Sequence, residues 1–168
     1  GNILLKASND LLLAAAVRST SGNISLEAGN SVTQSVNGDV TTGDGTIDVQ
    51  AITGSITMLD GAVTSTSNRN IRYEAMINIS LGLIDAGAGS VAVIASGAIL
   101  DSDTDALDVI ADSLALRAVA GVGLGVNHID ISVVTLAAAA GPGGIYLSEA
   151  DGLIVGSVAD VQILRVKT

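Results

Sequence analysis

Short runs of alternating apolar and polar residues recur along the whole chain, and most of them follow a small residue. The clearest examples are Ile24–Ala28, Ile47–Ala51 and Ile71–Ala75. Successive side chains of a β-strand point to opposite faces, so this alternation predicts short strands with one buried face. Gly, Asn and Asp separate the runs and predict tight corners. We therefore expect a strand-dominated fold, with a helix over residues 104–111 as the alternative that the pattern leaves open.

The runs return at a loose period of about 20 residues, which is typical of chains that coil so that each run stacks on the one before. Their first apolar residues are Ile3, Ile24, Ile47, Ile71, Val91, Leu114, Ile129 and Ile145. The period predicts an all-β fold, a right-handed parallel β-helix (β-solenoid) of about seven or eight turns. We expect residues 1–168 to form a single segment of a longer repetitive chain. After Leu114 the interval shortens, so either the turns lose a strand or a different face carries the run.

Stacking of the runs predicts two interior columns of side chains and an outer face of polar ones. The columns are Ile3, Ile24, Ile47, Ile71, Val91, Leu114 and Leu5, Leu26, Val49, Tyr73, Val93, Leu116. The side chains predicted to point outward are those of Ser25, Glu27, Asp48, Gln50, Arg72 and Glu74. On adjacent turns Lys6 then lies beside Glu27, and Asp48 beside Arg72, which are favourable pairs of opposite charge.

Composition supports a narrow coil and excludes some partners. Hydrophobic residues make up 48% of the chain, yet it has two Tyr and neither Phe nor Trp, which fits an interior filled by stacked aliphatic side chains. The net charge is −10, from 7 Lys and Arg against 17 Asp and Glu, so we expect no nucleic-acid partner. The longest apolar stretches, residues 11–17 and 118–126, are too short to cross a bilayer, so we expect no membrane insertion.

An acidic run between two apolar segments, residues 101–108, is the strongest candidate for a metal site. Asp101, Asp103, Asp105 and Asp112 fall at positions 1, 3, 5 and 12 of an EF-hand-like loop, and Ca²⁺ prefers oxygen ligands. Ala106 stands where that loop requires Gly, and position 12 carries Asp in place of the usual Glu. The sequence leaves two interpretations open, a calcium site and a solvated corner. We expect no other cofactor.

Two further motifs have simpler structural interpretations than chemical ones. His128, the only histidine, shares one outward strand face with Asp130, where the two cannot build a nucleophilic triad. Gly121–Gly125 lacks the spacing and the following helix of a dinucleotide-binding loop, and it predicts a tight bend. A polysaccharide-acting β-helix enzyme needs grouped charges and sugar-stacking aromatics, whereas Tyr146 is the one aromatic expected on the surface. We therefore expect no catalytic residues and no enzyme.

The chain resembles a known group of proteins over essentially its whole length, and its last third shows this best. Several of its segments are similar to the repeat regions of giant bacterial surface exoproteins, the filamentous-haemagglutinin-like adhesins. These segments are residues 111–118, Gly121–Gly125, residues 129–136 and residues 143–153. This resemblance implies a right-handed parallel β-helix that serves as a stalk or filament segment of a large secreted protein at the bacterial cell surface. It contributes no catalytic motif.

The partners implied are neighbouring turns of the same chain, identical subunits placed end to end, and a ligand on a host or cell surface. A self-assembling extracellular fibre subunit is the alternative function. A polysaccharide-acting enzyme is the third.

Overall fold

A computed structural model describes residues 1–103 and 106–167 of the chain, and the described residues form strands and no helix. Residues 109–111, part of the stretch for which a helix was left open, are strand. The strands are β1 (Ile3–Ala7), β2 (Leu11–Leu13), β3 (Val17–Ser19), β4 (Ile24–Ala28), β5 (Val32–Gln34), β6 (Val40–Thr42), β7 (Ile47–Ala51), β8 (Ile56–Met58), β9 (Val63–Thr66), β10 (Ile71–Ala75), β11 (Ile79–Leu81), β12 (Leu83–Asp85), β13 (Ser90–Ala95), β14 (Ile99–Asp101), β15 (Val109–Ala118), β16 (Gly121–Val122), β17 (Ile129–Ala139), β18 (Gly144–Ile145), β19 (Leu147–Glu149) and β20 (Ile154–Val155).

The strands pair in parallel between successive turns and form three stacked faces. The first face contains β1, β4, β7, β10, β13, the second halves of β15 and β17, and β20. The second face runs from β2 through β5, β8, β11, β14 and β16 to β18. The third contains β3, β6, β9, β12, the first halves of β15 and β17, and β19. The predicted parallel β-solenoid is confirmed, with about seven turns of roughly 22 residues; its right-handed sense stays a prediction.

Both predicted interior columns are present on the first face. Ile24 pairs with Ile47, and Ile47 with Ile71, in an unbroken register. The second column places Tyr73 between Val49 and Val93, and all three side chains are buried. Regular stacking of equivalent residues therefore builds the core, as the alternation predicts.

The shortened interval after Leu114 arises because a different face carries the run. Leu114 pairs with Leu136, so the first face keeps its period. Ile129 lies on the third face instead, in the half of β17 that stacks on the first half of β15. Ile145 stacks on Val122 in the second face. Here β15 and β17 each extend through what is a corner between two faces in earlier turns, so two separate strands become one.

Polar side chains at the corners hold successive turns together. Asn23 Oδ1, for example, accepts the backbone N–H of Thr46 in the next turn at 2.9 Å. Further pairs, acceptor side chain first, are Asn2 with Asn23, Asp10 with Ser31, Ser31 with Ser55, Asp39 with Val63, Ser55 with Asn78, Asn68 with Ala88, Asn70 with Ser90 and Asn78 with Ala98. Each bond satisfies a backbone donor that the strand ladders leave unpaired at a bend.

The predicted charge pairs between turns are confirmed. Lys6 Nζ lies 2.7 Å from Glu27 Oε1, and Arg72 Nε donates to Asp48 Oδ1 at 2.9 Å. The Lys6 ammonium, hydrogen-bonded to the Glu27 carboxylate, lowers the pKa of Glu27. In-register stacking places these side chains in neighbouring rows, which is why sequence position alone identified the partners.

The C-terminal segment, residues 158–167, leaves the coil and lies across the outer side of the first face. The N–H of Val166 donates to Ser25 Oγ at 2.9 Å, and that of Leu164 donates to Thr46 Oγ1 at 3.0 Å. Arg165 reaches Glu27, Asp48 and Gln50. Ser25, Asp48 and Gln50 point away from the core as predicted, yet they are buried because this segment covers them.

Candidate metal centre

Of the four predicted calcium ligands, the three that the structure describes, Asp101, Asp103 and Asp112, do not form one group. Asp101 ends β14, and its Oδ1 accepts the N–H of Asp103 at 2.8 Å. Asp103 Oδ1 in turn accepts the N–H of Ala106 at 2.9 Å. Asp112 is exposed within β15, where its carboxylate accepts a hydrogen bond from Ser113. Asp105 lies outside the described residues.

A different acidic group forms at the same corner. Among the described residues, Asp101, Asp108 and Asp130 each offer a carboxylate oxygen, and these oxygens lie within 4.8 Å of one another. Asp103 and Asp112 are not members of this group.

Asp108 is the centre of the group because the backbone ladder fixes it between two turns. Its carbonyl accepts the N–H of Ile84 in the preceding turn at 2.8 Å. Its own N–H donates to the carbonyl of Asp130 in the following turn at 2.7 Å. Val109 and Ile131, which follow Asp108 and Asp130, pair directly, so the two acidic residues occupy equivalent positions one turn apart.

The Asp108 carboxylate is only half satisfied by hydrogen bonds. Its Oδ2 accepts the N–H of Asp130 at 2.8 Å, as the corner asparagines do elsewhere. Its Oδ1 is buried and has no hydrogen-bond donor. Water cannot replace the missing donor from the surface, because the residue is 0% exposed. Asp101 Oδ2 is likewise buried without a donor. A buried carboxylate oxygen without a donor is costly, so two in one place require an explanation.

The environment of both carboxyl groups favours their neutral forms. Burial raises the pKa of Asp108 to about 8, and the adjacent Asp101 carboxylate adds to this effect. Burial, with the charge of Asp103, also raises the pKa of Asp101. Two ionised carboxylates at this distance repel each other, and a positive charge between them removes that repulsion. Either a shared proton or a metal ion can supply the positive charge.

The histidine and the glycine-rich stretch that the sequence singled out both lie near this acidic group. His128 is exposed, and its ring centroid lies 6.5 Å from that of Tyr146. The glycine-rich stretch forms the expected bend, since the backbones of Leu124 and Asn127 bond to each other in an antiparallel bridge. Gly123 has a φ of 65°, and a Cβ there would lie 2.2 Å from the Tyr146 carbonyl oxygen, so glycine is required.

Sequence reasoning placed Asp108 in the acidic run, residues 101–108, but not among its ligands, and it considered Asp130 only with His128. The signal that could have found them is their separation, which equals one turn of the coil at this point. That separation follows from the register in which Leu114 pairs with Leu136, whereas the recurring apolar run places Ile129 next after Leu114.

No helix among the described residues is long and apolar enough to cross a membrane. No family model matches the sequence, and the comparisons with curated proteins and with solved structures also gave no match. The resemblance to filamentous-haemagglutinin-like repeats and the expectation that the chain is not an enzyme therefore stay predictions.

Proposed function

We propose that this chain is a structural rod, a stalk or filament segment of a large secreted protein at the bacterial cell surface, with a role in adhesion. The observation that supports this proposal best is the unbroken stacking of parallel strands on three faces. Each turn adds about 4.8 Å of length and a new layer of backbone hydrogen bonds. Such a coil gives reach and stiffness without a binding pocket.

The packing of the coil supports a mechanical role. The interior is a continuous column of buried, mostly aliphatic side chains, from Leu13 in the first turn to Leu136 near the last. Polar corner side chains bond each turn to the next, so a load along the coil is distributed over many parallel hydrogen bonds. The acidic surface, which follows from a net charge of −10, favours solubility of an exposed rod.

The experiment that tests the location uses antibodies raised against residues 1–168. We expect them to label intact, unpermeabilised cells of the source bacterium, and external protease to remove the label. A cytoplasmic protein of the same cells serves as the control for lysis. Labelling that appears only after permeabilisation would contradict the proposal.

A self-assembling extracellular fibre subunit is the second candidate, and the in-register parallel stacking favours it. Each face of the coil is built by parallel pairing of equivalent strands from one turn to the next. The same pairing can join one copy of the chain to another, so that the three faces continue across the junction.

Sedimentation of the 168-residue polypeptide at increasing concentration separates the two candidates. Fibres or a rising sedimentation coefficient support the subunit function, and electron microscopy would then show threads of constant width. A 16.6 kDa species at every concentration would contradict end-to-end assembly of this polypeptide.

A further inference from the structure

The corner between β14 and β15 carries more negative charge than its structural role requires. At other corners a neutral asparagine accepts the backbone N–H of the next turn, as Asn70 does for Ser90 and Asn78 for Ala98. Asp10 and Asp39 make the same kind of bond, but neither is buried. Asp108 makes the same bond to Asp130 with one oxygen, while its second oxygen is buried without a donor. Asparagine at position 108 could make the structural bond without burying a charge, so the carboxylate requires another explanation.

Three carboxylates point to a common position at this corner. One carboxylate oxygen from each of Asp101, Asp108 and Asp130 lies within 4.8 Å of the other two. Asp101 and Asp108 also each have a buried carboxylate oxygen without a donor. Ligands of one Ca²⁺ ion, at 2.3–2.6 Å from it, lie at most about 5 Å apart. One ion can therefore contact all three side chains without a change of the backbone.

We propose that Asp101, Asp108 and Asp130 bind one calcium ion, which joins two successive turns of the coil at this corner. All three ligands are carboxylate oxygens, a hard set that suits Ca²⁺ and disfavours the softer transition metals. Water completes the six to eight ligands that Ca²⁺ takes. The ion supplies the positive charge that no described donor provides to Asp108 Oδ1 and Asp101 Oδ2.

This set differs from the loop that the sequence suggested, and the difference can be tested. The two sets share Asp101, but Asp112 belongs only to the sequence-based loop, and Asp108 and Asp130 belong only to the group in the structure. Asp112→Asn is thus a matched control for Asp108→Asn, since each removes one charge from the same strand region. The inference does not rest on the proposed surface function, because it concerns this corner alone.

Isothermal titration of the chelator-treated 168-residue polypeptide with CaCl₂ tests the proposal directly. We expect one site per chain with a dissociation constant of about 10⁻⁴ M, and a higher melting temperature when CaCl₂ is present. Asp108→Asn and Asp130→Asn should each weaken binding by about tenfold or more, since each removes one ligand charge. Asp112→Asn should bind as the unaltered chain does.

Several outcomes would overturn the proposal. Absence of heat and of a thermal shift with CaCl₂ in the unaltered chain would mean that the buried pair shares a proton instead. Binding lost in Asp112→Asn but kept in Asp108→Asn and Asp130→Asn would assign the ion to the sequence-based loop. Binding of MgCl₂ but not of CaCl₂ would also refute it. Circular dichroism of each variant confirms that it folds; Asp130 is half-buried, so its variant remains informative if Asp108→Asn does not fold.

Discussion

Tyr73 and Thr64 lie on different faces of the coil, and their hydroxyl oxygens are 2.7 Å apart in its interior. The Tyr73 hydroxyl also donates to Gln34 Oε1 at 3.1 Å, and Gln34 Nε2 donates to the Val63 carbonyl at 3.0 Å. These side chains come from β10, β9 and β5, one strand of each face. Burial raises the pKa of Tyr73 above its ordinary value, so the group stays a neutral hydroxyl. The cluster therefore connects all three faces with buried polar bonds that are satisfied.

Tyr73→Phe should lower the free energy of unfolding by about 1–2 kcal/mol, because it removes a buried hydroxyl while Gln34 and Thr64 keep their mutual bond. Tyr73→Ala should cost about 3–5 kcal/mol, since it also leaves a cavity. Urea unfolding followed by circular dichroism measures both changes. Tyr146→Phe is the control, as Tyr146 is 41% exposed. Equal stability of Tyr73→Phe and the unaltered chain would show that the Tyr73 hydroxyl makes no net contribution to the free energy of unfolding.

Val49→Asp should prevent folding or reduce the unfolding free energy by several kcal/mol, because Val49 is buried in the second interior column and the new carboxylate has no partner there. Thr57→Asp, on an outward position of β8, makes the same chemical change at a half-exposed site. We expect its unfolding midpoint to stay close to that of the unaltered chain. A soluble, cooperatively unfolding Val49→Asp variant would contradict the assignment of this column to the interior.

The interior columns and the Lys6–Glu27 and Asp48–Arg72 pairs could be predicted because all depend on one quantity, the in-register period of the coil. The position of Arg165 against Asp48 could not be predicted, because the segment that contains Arg165 leaves the coil and does not follow its repeat. The group around Asp108 was missed for a related reason. Two faces share the single strand β15 there, and the apolar run alone does not distinguish one face from the other.

Arg165→Ala should release the C-terminal segment while the coil stays folded. Arg165 contacts Glu27, Asp48 and Gln50, but Asp48 keeps its bond to Arg72, so we expect a loss of less than about 1 kcal/mol in global stability. Faster hydrogen exchange at the amides of Leu164 and Val166 would report the release. Lys167→Ala, at an exposed neighbouring position, should leave this exchange unchanged. Unchanged exchange in Arg165→Ala would mean that the hydrogen bonds from the backbone N–H groups of Leu164 and Val166 hold the segment without Arg165.

In the absence of divalent cations, stability should fall as pH rises from about 5 to about 8. Asp108 ionises near its ordinary pKa when the chain is unfolded, but in the fold its pKa is about 8. The folded chain therefore holds a proton that the unfolded chain has lost, and folding becomes less favourable as pH approaches 8. Unfolding free energies measured across this range in the presence of a chelator give the slope. Asp108→Asn should flatten it, and an unchanged slope in that variant would contradict the assignment.

Ile24 pairs with Ile47, and Ile47 with Ile71, so each turn stacks on the last in the same register. The length of the coil is therefore set by its number of whole turns. Loss of one residue within a strand would bring outward side chains into the interior. Loss or duplication of a whole turn would leave the contacts of most other turns as they are, since each contacts only its neighbours. The reach of such a protein can therefore change in steps of about 4.8 Å. Among chains built this way, we expect length differences to come in multiples of one turn.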